Sequence, residues 1–159
     1  MNQVIIIING FNENFLNAEN EAIVISEKND LKTNYNFTLL QADFKSIEEL
    51  IKAEKIIKSK FSSIDEIIIV NKDIDLNMIS YQYDYKYLKD NYLILTNIIY
   101  LINLLINNFS RNLNFVLSFE KESHYKVHTK IFNESIINYL IILKKDLIKS
   151  HSLNIKKLD

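Results

Sequence analysis

The chain has no cysteine, no proline and a single glycine, Gly10, in 159 residues. Without cysteine there are no disulfides and no thiolate metal sites, which fits a reducing, cytoplasmic setting. A glycine-rich phosphate loop needs several backbone positions without a Cβ, so a chain with Gly10 alone does not build one in the usual way. Charge of one sign is also missing: 19 Lys and Arg face 20 Asp and Glu, for a net charge of -1. No strong field therefore favours nucleic acid or an anionic membrane. The segment Met1 to Ile8 lacks the basic region and small-residue cleavage site of a signal peptide. The abundance of Ile, Asn and Lys reads as a compositional bias, so runs such as Asn107-Asn108 carry little meaning.

What is present is a strongly patterned α/β sequence, long enough for one domain over 1–159 with a real core. Its clearest stretch runs from Asn36 to Asn71. Phe37 to Leu40 is a short strand. Ser46 and Glu49 have the spacing of a capping box, in which hydroxyl and carboxylate each take an orphan N–H. Behind it Phe44, Ile47, Leu50, Ile51, Ile57 and Phe61 recur at helical spacing. Ile67 to Val70 is then a continuous apolar run, the mark of a strand covered on both faces. Strand, helix and buried strand make a βαβ unit and imply a parallel sheet.

The other strands predicted are Val4 to Ile8, Ala22 to Ser26, Asn114 to Ser118 and Leu153 to Leu158. The connection from Phe11 to Glu21 holds at most two or three helical turns, and Glu27 to Tyr35 has hardly room for a helix. After Asn71, a Tyr-rich segment through Asp90 reads as loop with some helix. Tyr92 to Phe109 is the most apolar segment, uncharged from Asn91 through Ser110. A polar line of Thr96, Tyr100, Asn103 and Asn107 argues against a membrane span, so the expectation is a helix buried on two sides. A second long helix covers Ile131 to Ile148, with Phe132, Ile136, Tyr139, Leu140, Leu143 and Leu147 on one face.

In that order the chain resembles the short-chain dehydrogenase/reductase family, which implies a three-layer, doubly wound Rossmann-like sheet of about six strands. QADF at Gln41 to Phe44 resembles the family segment whose acidic residue, here Asp43, sits beside the adenine. The stretch from Ser62 to Ile74 resembles the one ending in Asn-Asn-Ala-Gly, with Lys72, Asp73 and Ile74 replacing the last three, and a long spacing from Asp65 to Asn71. The active-site Asn of the family would fall on Asn91, and the catalytic Ser near Ser118.

The departures bear on function. The family's Thr-Gly-x-x-x-Gly-x-Gly loop would lie on NGFNENFL, where only Gly10 matches; Asn14 and Leu16 stand at the other two glycines, and Glu13 adds a carboxylate. One such glycine lets the backbone approach a pyrophosphate and the last lets helix pack on strand. The Tyr-x-x-x-Lys pair would fall on Thr129 and Asn133, leaving no phenol and no cation to lower its pKa. Tyr125 and Lys130 are nearby but would not share a helix face.

The sequence therefore predicts a non-catalytic member of this fold with no catalytic, cofactor-binding or metal-binding residues and no cofactor. It would act through oligomerisation, with itself or as partner subunit of an active ketoreductase of the 3-oxoacyl-carrier-protein reductase type. The resemblance places the pairing surfaces on the helices near 91–110 and 129–149, and Lys at Ile98 or Ile141 is expected to break the assembly. The alternative is a divergent NAD(P)(H)-dependent reductase using Ser118, Tyr125 and Lys130. Weaker signals read blandly: His124 and His128 as surface residues rather than ligands, Ser118 as no nucleophile elbow, Asp73 and Asp75 as solvated, and the Tyr-rich segment as a half-buried loop.

Overall fold

A computed structural model describes residues 3–11, 13–17, 19–29, 31–71, 85–109, 112–119, 127–147 and 152–158. Six strands, β1 (Gln3–Ile8), β2 (Asn20–Ser26), β3 (Phe37–Gln41), β4 (Glu66–Asn71), β5 (Asn112–Phe119) and β6 (Ser152–Leu158), form one sheet in the order β3-β2-β1-β4-β5-β6. All neighbours pair in parallel. Three helices, α1 (Ile47–Lys60), α2 (Tyr85–Asn108) and α3 (Val127–Leu147), join β3 to β4, β4 to β5 and β5 to β6.

Strand alternation divides the core in two. Ile6, Ile8, Ile23, Ile25, Ile67 and Ile69 point to one face, where they meet Leu50 and Ile57 of α1, Ile98, Leu101, Ile102 and Leu105 of α2, and Ile136 and Leu140 of α3. Ile5, Ile7, Ala22, Val24, Ile68, Val70 and Val116 point to the other. Crossovers are right-handed, so the connections that step from β3 through β4 and β5 to β6 deposit their helices on the same face. The steps from β1 to β2 and β2 to β3 run the opposite way and must cover the second face.

Those two connections are the short ones. Between β1 and β2 there is one 3₁₀ turn, Glu13–Phe15, and the described residues between β2 and β3 form no helix. The parallel Rossmann-type sheet and its truncation in the nucleotide-binding half are as the sequence predicts. Among the described residues, the second face is covered not by α-helices but by Phe11, Phe15, Leu16 and Leu31.

The start of α1 also differs in detail. Ser46 Oγ accepts from the Glu49 N–H at 3.4 Å, the forward half of a capping box. The return half is absent, because the Ser46 N–H already donates to the Asp43 carbonyl at 2.9 Å. The Glu49 carboxylate instead takes the Asp43 N–H at 2.7 Å, so it fastens the turn after β3 to the helix.

The long helix α2 begins at Tyr85, six residues ahead of Asn91. Its polar residues are used as tethers. Asn97, buried, donates to the Phe44 carbonyl at 2.9 Å. Asn108 donates to the buried Glu54 carboxylate at 2.9 Å and accepts from Lys58 Nζ at 2.8 Å, tying α2 to α1. Asn103 accepts from the Tyr139 hydroxyl of α3. Among the described residues no helix is long and apolar enough to cross a membrane.

Candidate functional site

In an open parallel sheet, ligands bind beyond the carboxyl ends of the strands where the strand order reverses. Here that point lies between β1 and β4, and residues 9–11, 13–17 and 19 are the described part of the connection that leaves β1 there. Asn9 holds a left-handed backbone, φ 66°, a conformation that Asn tolerates better than most residues, while Gly10 has no positive φ. The one glycine is thus not spending its freedom where a dinucleotide loop would need it.

The chain then turns back over the sheet. The Phe11 ring packs on Phe37 with centroids 5.4 Å apart, and Phe37 lies level with Ala22 and, through it, with Ile5. Leu16 follows the 3₁₀ turn and is 5% exposed among Ile5, Ile7, Ala22 and Val24. Its N–H donates to Glu13 O at 2.9 Å, closing the turn. The side chain at the family's third glycine position is therefore a packing residue of the sheet face. A pyrophosphate site of the ordinary kind uses a helix N-terminus with several free N–H groups; three residues of 3₁₀ turn offer no such end.

Asp43, the adenine-side residue by resemblance, follows β3 and is exposed. Its Oδ1 accepts from the Lys45 N–H at 2.8 Å. Glu27 at the end of β2 accepts from the Phe44 N–H at 3.4 Å, so the carboxylates here organise the turn into α1. Beside them an open groove of about 790 Å³ runs between β3 and α1.

The residues matched to the family's chemistry are spread as follows. Asn91 lies in the second turn of α2, half-buried. Asn71 and Ser118 sit on adjacent strands near their carboxyl ends, with Val70 paired to Ser118 and Asn71 to Phe119. Thr129 and Lys130 are in the first turn of α3. Asn133, at the position of the family's Lys, is 8% exposed. Tyr125, His124, Lys72, Asp73, Ile74 and Asp75 lie outside the described residues. No cluster of three metal-capable side chains occurs among the described residues.

Two of the positions named for the helix surfaces part company. Ile141 is 42% exposed, but Ile98 is fully buried against the sheet. The outward apolar residues of α2 are instead Tyr92, Leu93 and Tyr100, with Ile131 and Ile142 beside Ile141 on α3. Period alone placed Ile98 on an apolar helix without saying which side met the sheet.

Strand order, the three helices packed on one face and the position of the switch point define a Rossmann-type α/β protein. The sequence matches no protein-family model and no curated protein. Solved structures do match, and they make the fold that of the short-chain dehydrogenases/reductases. A short chain dehydrogenase family protein from Francisella tularensis superposes with TM-score 0.73 at 19% identity, over 94% of this chain and 66% of its own. The NADPH-dependent 3-quinuclidinone reductase of Rhodotorula rubra gives TM-score 0.73 at 12% identity, over 96% and 67%. The enoyl-acyl carrier protein reductase of Bacillus cereus, solved with NADP+, gives 0.70 at 14%, over 98% and 70%. This chain thus spans about two thirds of the length of these structures.

Proposed function

We propose that this chain is a non-catalytic short-chain-reductase-like protein that works as a subunit, pairing with itself or with an active reductase of the ketoacyl-carrier-protein type. The observation that carries the reading is Leu16: it is built into the core where a dinucleotide loop requires a glycine. Emptying that position for a cofactor would uncover the sheet face it protects. The replacement of the Tyr-x-x-x-Lys pair by Thr129 and the buried Asn133 points the same way. In this reading the outward residues of α2 and α3, Tyr92, Tyr100, Ile131, Ile141 and Ile142, form the pairing surface.

The test is a titration of the purified chain with NADPH and NADH, followed by cofactor fluorescence. No binding up to millimolar cofactor is the expected result. Saturable micromolar binding would overturn the reading and turn attention to reductase chemistry at Ser118 and Tyr125.

A further inference from the structure

We infer that the β3 edge of the sheet, together with α1, is a two-fold interface for a second copy of this chain, separate from the α2 and α3 surface. Among the described residues β3 ends the sheet and pairs only with β2. The Ala42 N–H donates to Ser26 O at 3.0 Å, so in a parallel ladder the even-numbered positions of β3 face β2. The N–H and C=O groups of Phe37, Leu39 and Gln41 therefore face away from β2, and Leu39 and Gln41 border the groove beside α1. Such a row is a template for another strand, and no proline or charged residue lies within Phe37–Gln41 to blunt it.

The helix bordering the groove is self-complementary. Glu49, Ala53, Ile56 and Lys60 follow one another by four, three and four residues and so share one stripe of α1. Glu49, Ala53 and Ile56 line the groove, with Ile56 standing 41% exposed beside the small, buried Ala53. A two-fold axis crossing α1 between Glu54 and Lys55 sets Ile56 of each copy against Ala53 of the other. The same axis sets Glu49 against Lys60, in agreement with the acidic first turn and basic last turn of the helix.

An axis perpendicular to the sheet through Leu39 makes β3 antiparallel to its copy. Leu39 then exchanges both backbone bonds with its counterpart, and Phe37 does so with Gln41, about six new hydrogen bonds in all. Leu39 and Ala53 line the same groove, so the strand edge and the helix stripe border one another, and the proposed axis runs through both. The occupant favoured is a second copy, because both the strand register and the helix stripe are satisfied by their own reverse.

The absence of cysteine allows a direct test. Leu39→Cys places one thiol per chain at the axis. A short bis-maleimide is expected to join it into a covalent dimer, and Ile56→Lys in the same chain is expected to abolish the product. In chains without the added cysteine, sedimentation over a dilution series should show the dimer weakened at least tenfold by Ile56→Lys and several-fold by Lys60→Glu. Circular dichroism should show that both exposed substitutions leave the fold intact. A crosslink that survives Ile56→Lys, or a chain that sediments as a monomer without crosslinking, overturns the proposal. Tyr100→Lys, on the other surface, should leave the Leu39→Cys crosslink unchanged, which separates this interface from the one in the functional reading.

Discussion

The side-chain amide of Asn97, in the most apolar helix of the chain, donates to the carbonyl oxygen of Phe44, 53 positions earlier, at 2.9 Å. Both residues are buried, so the bond has no water to replace it. It holds the turn after β3 against the middle of α2. Asn97→Ala leaves that carbonyl unpaired and should cost about 1–3 kcal/mol in urea unfolding. Asn97→Leu should not recover the loss, since the orphaned acceptor remains.

Leu16 gives a prediction of opposite flavour, about packing rather than polarity. Leu16→Gly, which recreates a glycine of the dinucleotide loop, should destabilise the chain by at least the about 2–5 kcal/mol of a Leu→Ala change. It should not bring cofactor binding with it. Thermal unfolding and an NADPH titration of the same preparation check both halves.

Tyr139 should show in the alkaline limb of stability. Burial raises its phenol above the usual value of 10.0, and the hydrogen bond to Asn103 opposes this only in part. The folded state therefore keeps its proton where the unfolded chain has begun to lose it. The corresponding stability is fully present below about pH 10 and falls as pH rises through the folded pKa. Tyr139→Phe should be less stable at neutral pH and show a shallower decline above pH 10 in guanidinium titrations.

The helix surface of the functional reading yields a contrast between two isoleucines. Ile98→Lys buries a charge against the sheet and should unfold the chain, whatever its assembly state. Ile141→Lys lies on an exposed position and should keep the fold, as read by circular dichroism, while lowering the sedimenting mass. Unchanged mass for Ile141→Lys would count against pairing through α3.

All six strands were legible, because β-branched runs such as Ile67 to Val70 admit few alternatives when covered on both faces. The three helices were legible from periodicity, although α2 starts earlier, at Tyr85, where mixed polar and aromatic residues hide the pattern. The side of α2 that meets the sheet was not readable, since a helix apolar around most of its girth gives no direction; Ile98 is the result. The missing half of the capping box also escaped: whether Glu49 reaches Ser46 or Asp43 depends on a turn that consumes the Ser46 N–H first. For the site, Leu16 at a glycine position was plain in the sequence. That it enters the core, and that Asn9 rather than Gly10 takes the left-handed backbone, needed the path of the chain.

The strand order sets a schedule for folding. β1 lies in the middle of the sheet, and its second neighbour is β4, with Ile5 opposite Glu66. Closing that pair requires a loop of about sixty residues, whose entropy must be met before the contact stabilises anything. Until Glu66 to Asn71 has been made, the run Ile5 to Ile8 has one edge without its partner. A nascent chain would thus carry its stickiest strand half-paired until β4 has been made. Chaperone demand should accordingly fall once β4 has emerged, well before the chain is complete.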